Sequence, residues 1–293
     1  MIITNKYGLP SALVEAVRND GYSRGQSDIS VTTLVGPVQI RKLRELHEEE
    51  ITEDASGRIW ALLGQAVHTI LDRASPSGIT EERLFAEVNG RTISGQFDNL
   101  GYRDDKSTLS DYKVTSAWTA IHGLKPEWVA QLNCYAFLCR ANGRQVDALE
   151  IIAIYRDWGR SQSLRSQDYP SSQVGCIPVP LWPQEFIEQY IKERLDLHFG
   201  TDYVPCTDQE RWAKAEKWAI MKRGRKSAVR VLSSEREAVA WGIEKEFYTA
   251  RAEWLKGYSL VERPREYIRC ERYCPVAEFC GQWIDSQVST KGE

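Results

Sequence analysis

The chain has 293 residues, enough for one large domain or two small ones with a sizeable core. Hydrophobic residues make up 42% and charged residues 27%, the balance of a soluble globular protein, and no apolar run approaches the ~18–20 residues that a membrane span needs. The net charge of −3 argues against a generic nucleic-acid coat protein, although Lys214, Lys217, Lys222, Arg223, Arg225, Lys226 and Arg230 crowd one segment against Glu216 alone.

The opening Met-Ile-Ile-Thr-Asn-Lys-Tyr-Gly lacks the pattern of a secretory leader, so a cytoplasmic location is expected, with no membrane partner. Residues 1–57 mix turn signals with short helical pieces and read as a helical N-terminal extension. Within it, a charged helix opening at Arg41 packs on the core through Leu43 and Leu46. Residues 58–73 predict a helix, because Ile59, Leu62, Leu63, Ala66, Val67, Ile70 and Leu71 recur at the spacing of one buried face. Gly64 and His68 sit one turn apart at the margin of that stripe. A lone histidine there is more often structural than a ligand, while the small Gly64 leaves room for a close approach.

Strands follow. Leu84 to Val88, an Asn89-Gly90 turn and Arg91 to Asp98 predict a hairpin, and Leu109 to Thr115 a further strand. Lys125-Pro126-Glu127 starts a helix with an apolar stripe of Trp128, Leu132, Tyr135, Ala136 and Cys139, stopped at Asn142-Gly143. Leu149 to Tyr155 reads as a central strand, Val174 to Leu181 as a proline-limited edge strand, and Pro183 to Phe199 as a helix. This order predicts an α/β core over 58–200, with a central mixed sheet flanked by helices. Beyond Gly200 the composition shifts toward Trp, Lys and Arg. Ser234-x-x-Glu237 is a capping box expected to open a long helix carrying Val239, Ile243, Phe247, Ala250 and Trp254, so 201–293 reads as a helical C-terminal region.

The chemistry concentrates between Gly95 and Lys113. Asp98 ends one strand, and Asp111 and Lys113, two apart on the next, share a face while Tyr112 turns away. Phosphodiester cleavage needs a cation to offset phosphate charge and to activate water, and hard cations such as Mg²⁺ take carboxylate oxygens. A lysine beside that cation can orient water or stabilise developing charge. Taken alone, two aspartates and a lysine more often form solvated pairs. Glu87 is either an outer-sphere carboxylate or an exposed strand residue, and His122 reads as a loop residue.

Gly64-x-x-x-His68, Gly95-x-x-Asp98, Asp111-x-Lys113 and Gln131-x-x-x-Tyr135 occur in this order on helix, strand, strand and helix. Together, over roughly residues 58–140, they resemble the RecB-type branch of the PD-(D/E)XK nucleases. The resemblance implies a restriction-endonuclease-like core and a metal-dependent DNA exonuclease of recombination, repair or phage DNA processing. It implies Mg²⁺ or Mn²⁺ held by His68, Asp98, Asp111 and the Tyr112 carbonyl, Lys113 as the catalytic lysine with Asp98 and Asp111, and Gln131 and Tyr135 placing the DNA strand. The expected partners are single-stranded DNA or duplex ends and a recombination protein. A non-catalytic DNA-end module and an RNA-directed or endonucleolytic enzyme are the alternatives.

Seven cysteines, with no export signal, argue against a disulfide framework. Three of them form Cys270-x-x-x-Cys274-x-x-x-x-x-Cys280, a density that suggests metal, and the Cys-Pro step suits iron–sulfur ligation. This tail is similar to those of AddB-type nuclease domains and CRISPR-associated exonucleases, which carry a 4Fe-4S cluster. It departs in its first gap of three residues and in having no cysteine upstream of the nuclease motifs. Cys206, in a Pro-Cys-Thr-Asp turn, is the favoured fourth ligand over Cys134, Cys139 and Cys176. Zn²⁺, as Cys₄ or as Cys₃His with His198, and no metal at all are the other readings. The basic segment from Lys217 to Lys226 either follows a phosphate backbone, with Trp212 or Trp218 stacking on a base, or is a solvated surface.

Overall fold

The computed structural model describes residues 1–19, 25–74, 78–249, 253–255 and 257–291, with no side chains for 289–291. Two compact units emerge, Met1–Val204 and Pro205–Glu293.

The first unit begins with β1 (Ile2–Thr4), α1 (Ser11–Arg18), β2 (Ile29–Ser30), α2 (Val31–Leu34), α3 (Val38–Leu46) and β3 (Thr52–Asp54). Then come α4 (Ile59–Ala74), β4 (Ile79–Val88), β5 (Arg91–Arg103), β6 (Lys106–Thr115), α5 (Trp118–His122) and α6 (Pro126–Ala141). It closes with β7 (Ala148–Tyr155), α7 (Arg160–Ser163), β8 (Val174–Val179) and α8 (Gln184–Phe199). The six-stranded sheet runs β2-β5-β6-β7-β8, with β4 on β5. It is mixed: β2 is parallel to β5 and β6 to β7, and the other pairs are antiparallel. The fold is therefore α/β, a central mixed sheet flanked by helices, as the order of elements predicts.

The hairpin turns follow their residues. Asn89 and Gly90 both take positive φ, 51° and 69°, as a two-residue type I′ turn requires. Asp104 and Asp105 do the same between β5 and β6. The N-terminal segment is less separate than its composition suggests, because β2 joins the main sheet and Ile29, Val31 and Leu34 enter the core.

The core gathers Ile93, Phe97, Leu109, Leu132, Leu138 and Ile151 with Ile187 and Ile191 of α8. Helix α6 packs across β4, β5 and β6 and against α2 and α8, whereas α4 lies on β5 and β6. The stripe on α4 is not the buried face expected of it: none of its residues is fully buried, and Leu63 and Ile70 are 40% and 63% exposed. Close approach of α6 depends on Gly95. A Cβ there would stand 2.6 Å from the Tyr135 ring and 2.8 Å from Leu138 Cδ1.

The second unit holds β9 (Ala213–Lys214), β10 (Lys217–Lys222), β11 (Arg230–Leu232), α9 (Glu235–Glu244), β12 (Tyr258–Arg263), β13 (Glu266–Tyr267), α10 (Ile268–Arg272) and α11 (Gly281–Lys291). It is not purely helical: β11-β10-β12 form a sheet, and β9 pairs with β13. Half of the capping box forms, Ser234 Oγ accepting from the Glu237 amide at 3.2 Å, while Glu237 Oε2 accepts from the Ser233 amide, also at 3.2 Å, rather than from that of Ser234. The helix it opens nevertheless ends at Glu244, because the Trp254 ring folds back onto Gly242 and stacks edge-on against Tyr248, 5.1 Å away. Ala250, expected on that helix, lies outside the described residues. Among the described residues no helix is long and apolar enough to cross a membrane.

Gly95→Ala should lower the melting temperature by about 2–10 °C, since overpacking of this kind costs roughly 1–3 kcal/mol. A thermal melt with an unchanged midpoint would show that the α6 contact is slack.

Candidate metal centre

The register of three strands sets a row of acids. The β5–β6 ladder ends at Asn99↔Ser110, and one step further along the same register Asp98 faces Asp111. On the other edge of β5, Thr80 pairs with Asn99 and Glu82 with Phe97, which places Glu81 opposite Asp98. The strands part at Asp98. In place of a ladder bond, the Tyr112 amide donates to Asp98 Oδ2 at 2.6 Å.

Glu81 is held in the left-handed region, with φ 47°, which is uncommon for a strand residue with a side chain. Its Oε2 accepts from Gln96 Nε2 at 2.7 Å, and its Oε1 lies 3.3 Å from His68 Nδ1. The same His68 nitrogen stands 3.4 Å from Asp98 Oδ1. His68, Glu81 and Asp98 thus present ligand atoms mutually within 4.8 Å. Asp98 first, and Glu81 second, push the His68 imidazole up to about 10. In the metal-free protein the ring is therefore an imidazolium balancing carboxylates, and a bound metal would displace its proton.

Alternation along β6 divides the next residues. The Tyr112 ring meets His68 of α4 edge-on at 6.0 Å, whereas Lys113 turns toward α6. Lys113 Nζ stands 2.5 Å from Asp111 Oδ2 and donates to Gln131 Oε1 at 3.3 Å. Gln131 Nε2 in turn donates to the Tyr135 hydroxyl at 2.8 Å. Asp111 is 2% exposed, and its Oδ2 is the atom paired with the Lys113 ammonium. Burial raises its carboxyl above the usual range, Lys113 pulls it down, and Asp98 pushes it up again. A buried carboxylate beside a second one, with one ammonium against it, is costly, and a cation between the two would offset that cost. A Cβ on Gly64 would meet nothing within 4 Å, so the space beside it is open.

The structure thus brings His68, Asp98, Asp111, Lys113, Gln131 and Tyr135 together and adds Glu81, which the sequence reading passed over. Glu87, the acid weighed there, is exposed and paired with Thr92 near the hairpin turn. It lies six residues from Glu81, about 20 Å along the strand. His122 is an exposed residue stacked on Trp118.

The cysteines divide between the units. Cys134 and Cys139 are buried in α6, and Cys176 is exposed on β8. In the second unit Cys206, Cys270, Cys274 and Cys280 share one neighbourhood: burial, Glu210 and the other three thiols push the Cys206 thiol up to about 12. Gln282 clamps the Cys206 peptide at both ends, accepting from its N–H and donating to its carbonyl, each at 2.9 Å. His198, the alternative fourth ligand, belongs to the first unit. It is 1% exposed, with its Nε2 3.0 Å from the Leu34 carbonyl. The basic segment becomes β10 and an exposed turn at Gly224, φ 84°, in the second unit.

No family model matches the chain, and no curated protein does. Among solved structures, the chain is similar to SSO0001, at 18% identity over 68% of this chain and 87% of that one, with a TM-score of 0.45. It is also similar to an alkaline exonuclease, LHK-Exo from Laribacter hongkongensis, at 16% identity over 57% of this chain and 86% of that one, TM-score 0.37. The same exonuclease in complex with dAMP matches at 14% identity over 58% and 87%, TM-score 0.38. At these scores the likeness does not by itself define fold or activity.

Proposed function

We propose that this protein is a divalent-cation-dependent nuclease that hydrolyses DNA from an end. The observation that carries the reading is the row Glu81–Asp98–Asp111 with His68 on one side and Lys113 on the other. The donor set suits a hard cation: carboxylate oxygens, one imidazole, and the buried Asp111 beside Lys113. His68, Asp98, Asp111 and the Tyr112 carbonyl would hold Mg²⁺ or Mn²⁺, with Glu81 as a further carboxylate. When bound, the cation offsets charge on the scissile phosphate and makes water a usable nucleophile near neutral pH.

The chain's own residues supply the rest. Lys113 presents an ammonium beside Asp111, where it can donate to a phosphate oxygen or orient the attacking water. Gln131 fixes that ammonium and is itself fixed by Tyr135, so α6 sets where the lysine points. Resemblance to the RecB-type nucleases favours an exonuclease acting on single strands or duplex ends in recombination, repair or phage DNA processing.

In the second unit, the four grouped cysteines support a structural 4Fe-4S cluster. Ligation would deprotonate the Cys206 and Cys274 thiols, which burial otherwise keeps protonated.

Incubated with end-labelled single- and double-stranded DNA, the wild type should release label with Mg²⁺ or Mn²⁺ and be silent in EDTA, and Lys113→Ala should lose about 10²–10⁴-fold. Equal activity of the two proteins would remove Lys113 from the mechanism. Cys274→Ser should lose iron and brown absorbance and melt several degrees lower while keeping the metal centre of the first unit. Full iron content and an unchanged melt would take the cluster away from these cysteines.

A further inference from the structure

Beside the metal centre lies a group of cations and rings that the proposed hydrolysis leaves without a task. Arg156 follows the last residue of β7, and its amide donates to the carbonyl of Thr115, the end of β6, at 2.9 Å. Lys113 is two residues back along β6. Lys125 is the N-cap of α6, six residues before the Gln131 that bonds Lys113. The two further cations therefore sit where the parallel strands β6 and β7 end, the edge at which α/β sheets bind ligands.

Each cation is steered by a ring. Lys125 Nζ lies 4.8 Å from the Trp128 ring centre, and the Arg156 guanidinium lies 4.8 Å over Trp60. Among the described residues neither forms an ion pair with a carboxylate. Glu127 is the opposite charge felt by Lys125, and Asp157 the one beside Arg156. Asp157 is already committed to Ser116 Oγ and the Ala117 amide, each at 2.6 Å. Half-buried Lys125 is also repelled by both Arg156 and Lys113. Lys113 has Asp111 against it, but among the described residues Lys125 and Arg156 have no such carboxylate partner, so an arriving anion would relieve their mutual repulsion.

Trp118 follows Ala117, whose amide bonds the Asp157 that neighbours Arg156, and it is 49% exposed on α5. Its ring is stacked on His122, 6.4 Å between centroids at 22°, and set edge-on to Tyr169 at 6.3 Å, so it is braced yet open. A braced, exposed indole beside paired cations matches the two halves of an unpaired nucleotide, a flat base and a phosphate.

We propose that Lys125, Arg156 and Trp118 form a subsite for the single-stranded DNA nucleotide flanking the phosphate at Lys113, with the cations on its phosphate and Trp118 on its base. This rests on the nuclease reading. It gives the site a grip on the strand next to the bond being broken, separate from the groups that break it.

The test is fluorescence-anisotropy titration of labelled oligothymidylate with the full chain in EDTA, over a range of potassium chloride. Lys125→Gln and Arg156→Ala should each weaken binding about tenfold and reduce the salt slope by about 0.7. Trp118→Ala should weaken it about tenfold with an unchanged slope. With Mg²⁺ present, all three should raise KM for the oligonucleotide while leaving hydrolysis of thymidine 5′-p-nitrophenyl phosphate, which has no flanking nucleotide, as in the wild type. Arg156 and Trp118 are exposed, so their variants keep the wild-type melt and decide the matter even where Lys125→Gln folds poorly. Unchanged affinity and slope in both, against a wild type that binds, would overturn the subsite alone. Tighter binding of oligouridylate than oligothymidylate would overturn DNA as its occupant. A wild type that neither binds nor cleaves DNA would sink the nuclease reading itself.

Discussion

Everything at the candidate metal centre depends on β5 having two partners along one edge. Strand β2 takes that edge at Ile93 and Ser94, β6 takes it from Asn99 onward, and Asp98 falls in the gap between them. There the Asp98 carboxylate replaces the missing backbone acceptor for the Tyr112 amide. One oxygen is thereby fixed to the scaffold, and the other is left facing His68. A carboxylate pinned in this way loses little further freedom on taking a cation, which is the practical meaning of a preorganised site.

The acids are not arranged for stability. Glu81 occupies a backbone region that side chains avoid, and Asp111 is buried where both desolvation and Asp98 oppose its charge. Strained and desolvated groups persist where surrounding packing over-determines them, and they cluster at functional sites. Here the packing is α6 against the sheet. Gly95 lets Tyr135 close onto β5, Tyr135 holds Gln131, and Gln131 holds Lys113. A glycine on a strand thus reaches the lysine ammonium through three side chains.

Much of this was legible in the residues, for identifiable reasons. The Asn89-Gly90 dipeptide fixed the hairpin and so the register of β4 on β5. Alternation along β6 put Asp111 beside Lys113 and turned Tyr112 away, and spacing on a helix joined Gln131 to Tyr135. Glu81 was not legible. Its positive φ breaks the alternation that marks strand residues, and the polar run around it hides where β4 begins. The α4 stripe was misleading, since helical periodicity shows which side chains share a face but not whether anything covers them. The helix from Ser234 was overrun for a related reason: the apolar spacing continues past Glu244, while a tertiary contact of Trp254 on Gly242 turns the chain. The cations by Trp60 and Trp128 were invisible in one dimension, because Arg156 is brought to the end of β6 only by the parallel pairing of β6 with β7.

The most direct measurement is calorimetric titration of Mn²⁺ into the metal-free protein. Under the proposed roles, in which the lysine serves the chemistry and the aspartate holds the ion, wild type and Lys113→Ala should both take up the cation at the carboxylate row, and Asp98→Ala should lose that uptake. Binding by Asp98→Ala as tight as in the wild type would contradict the assignment of this row as the metal centre.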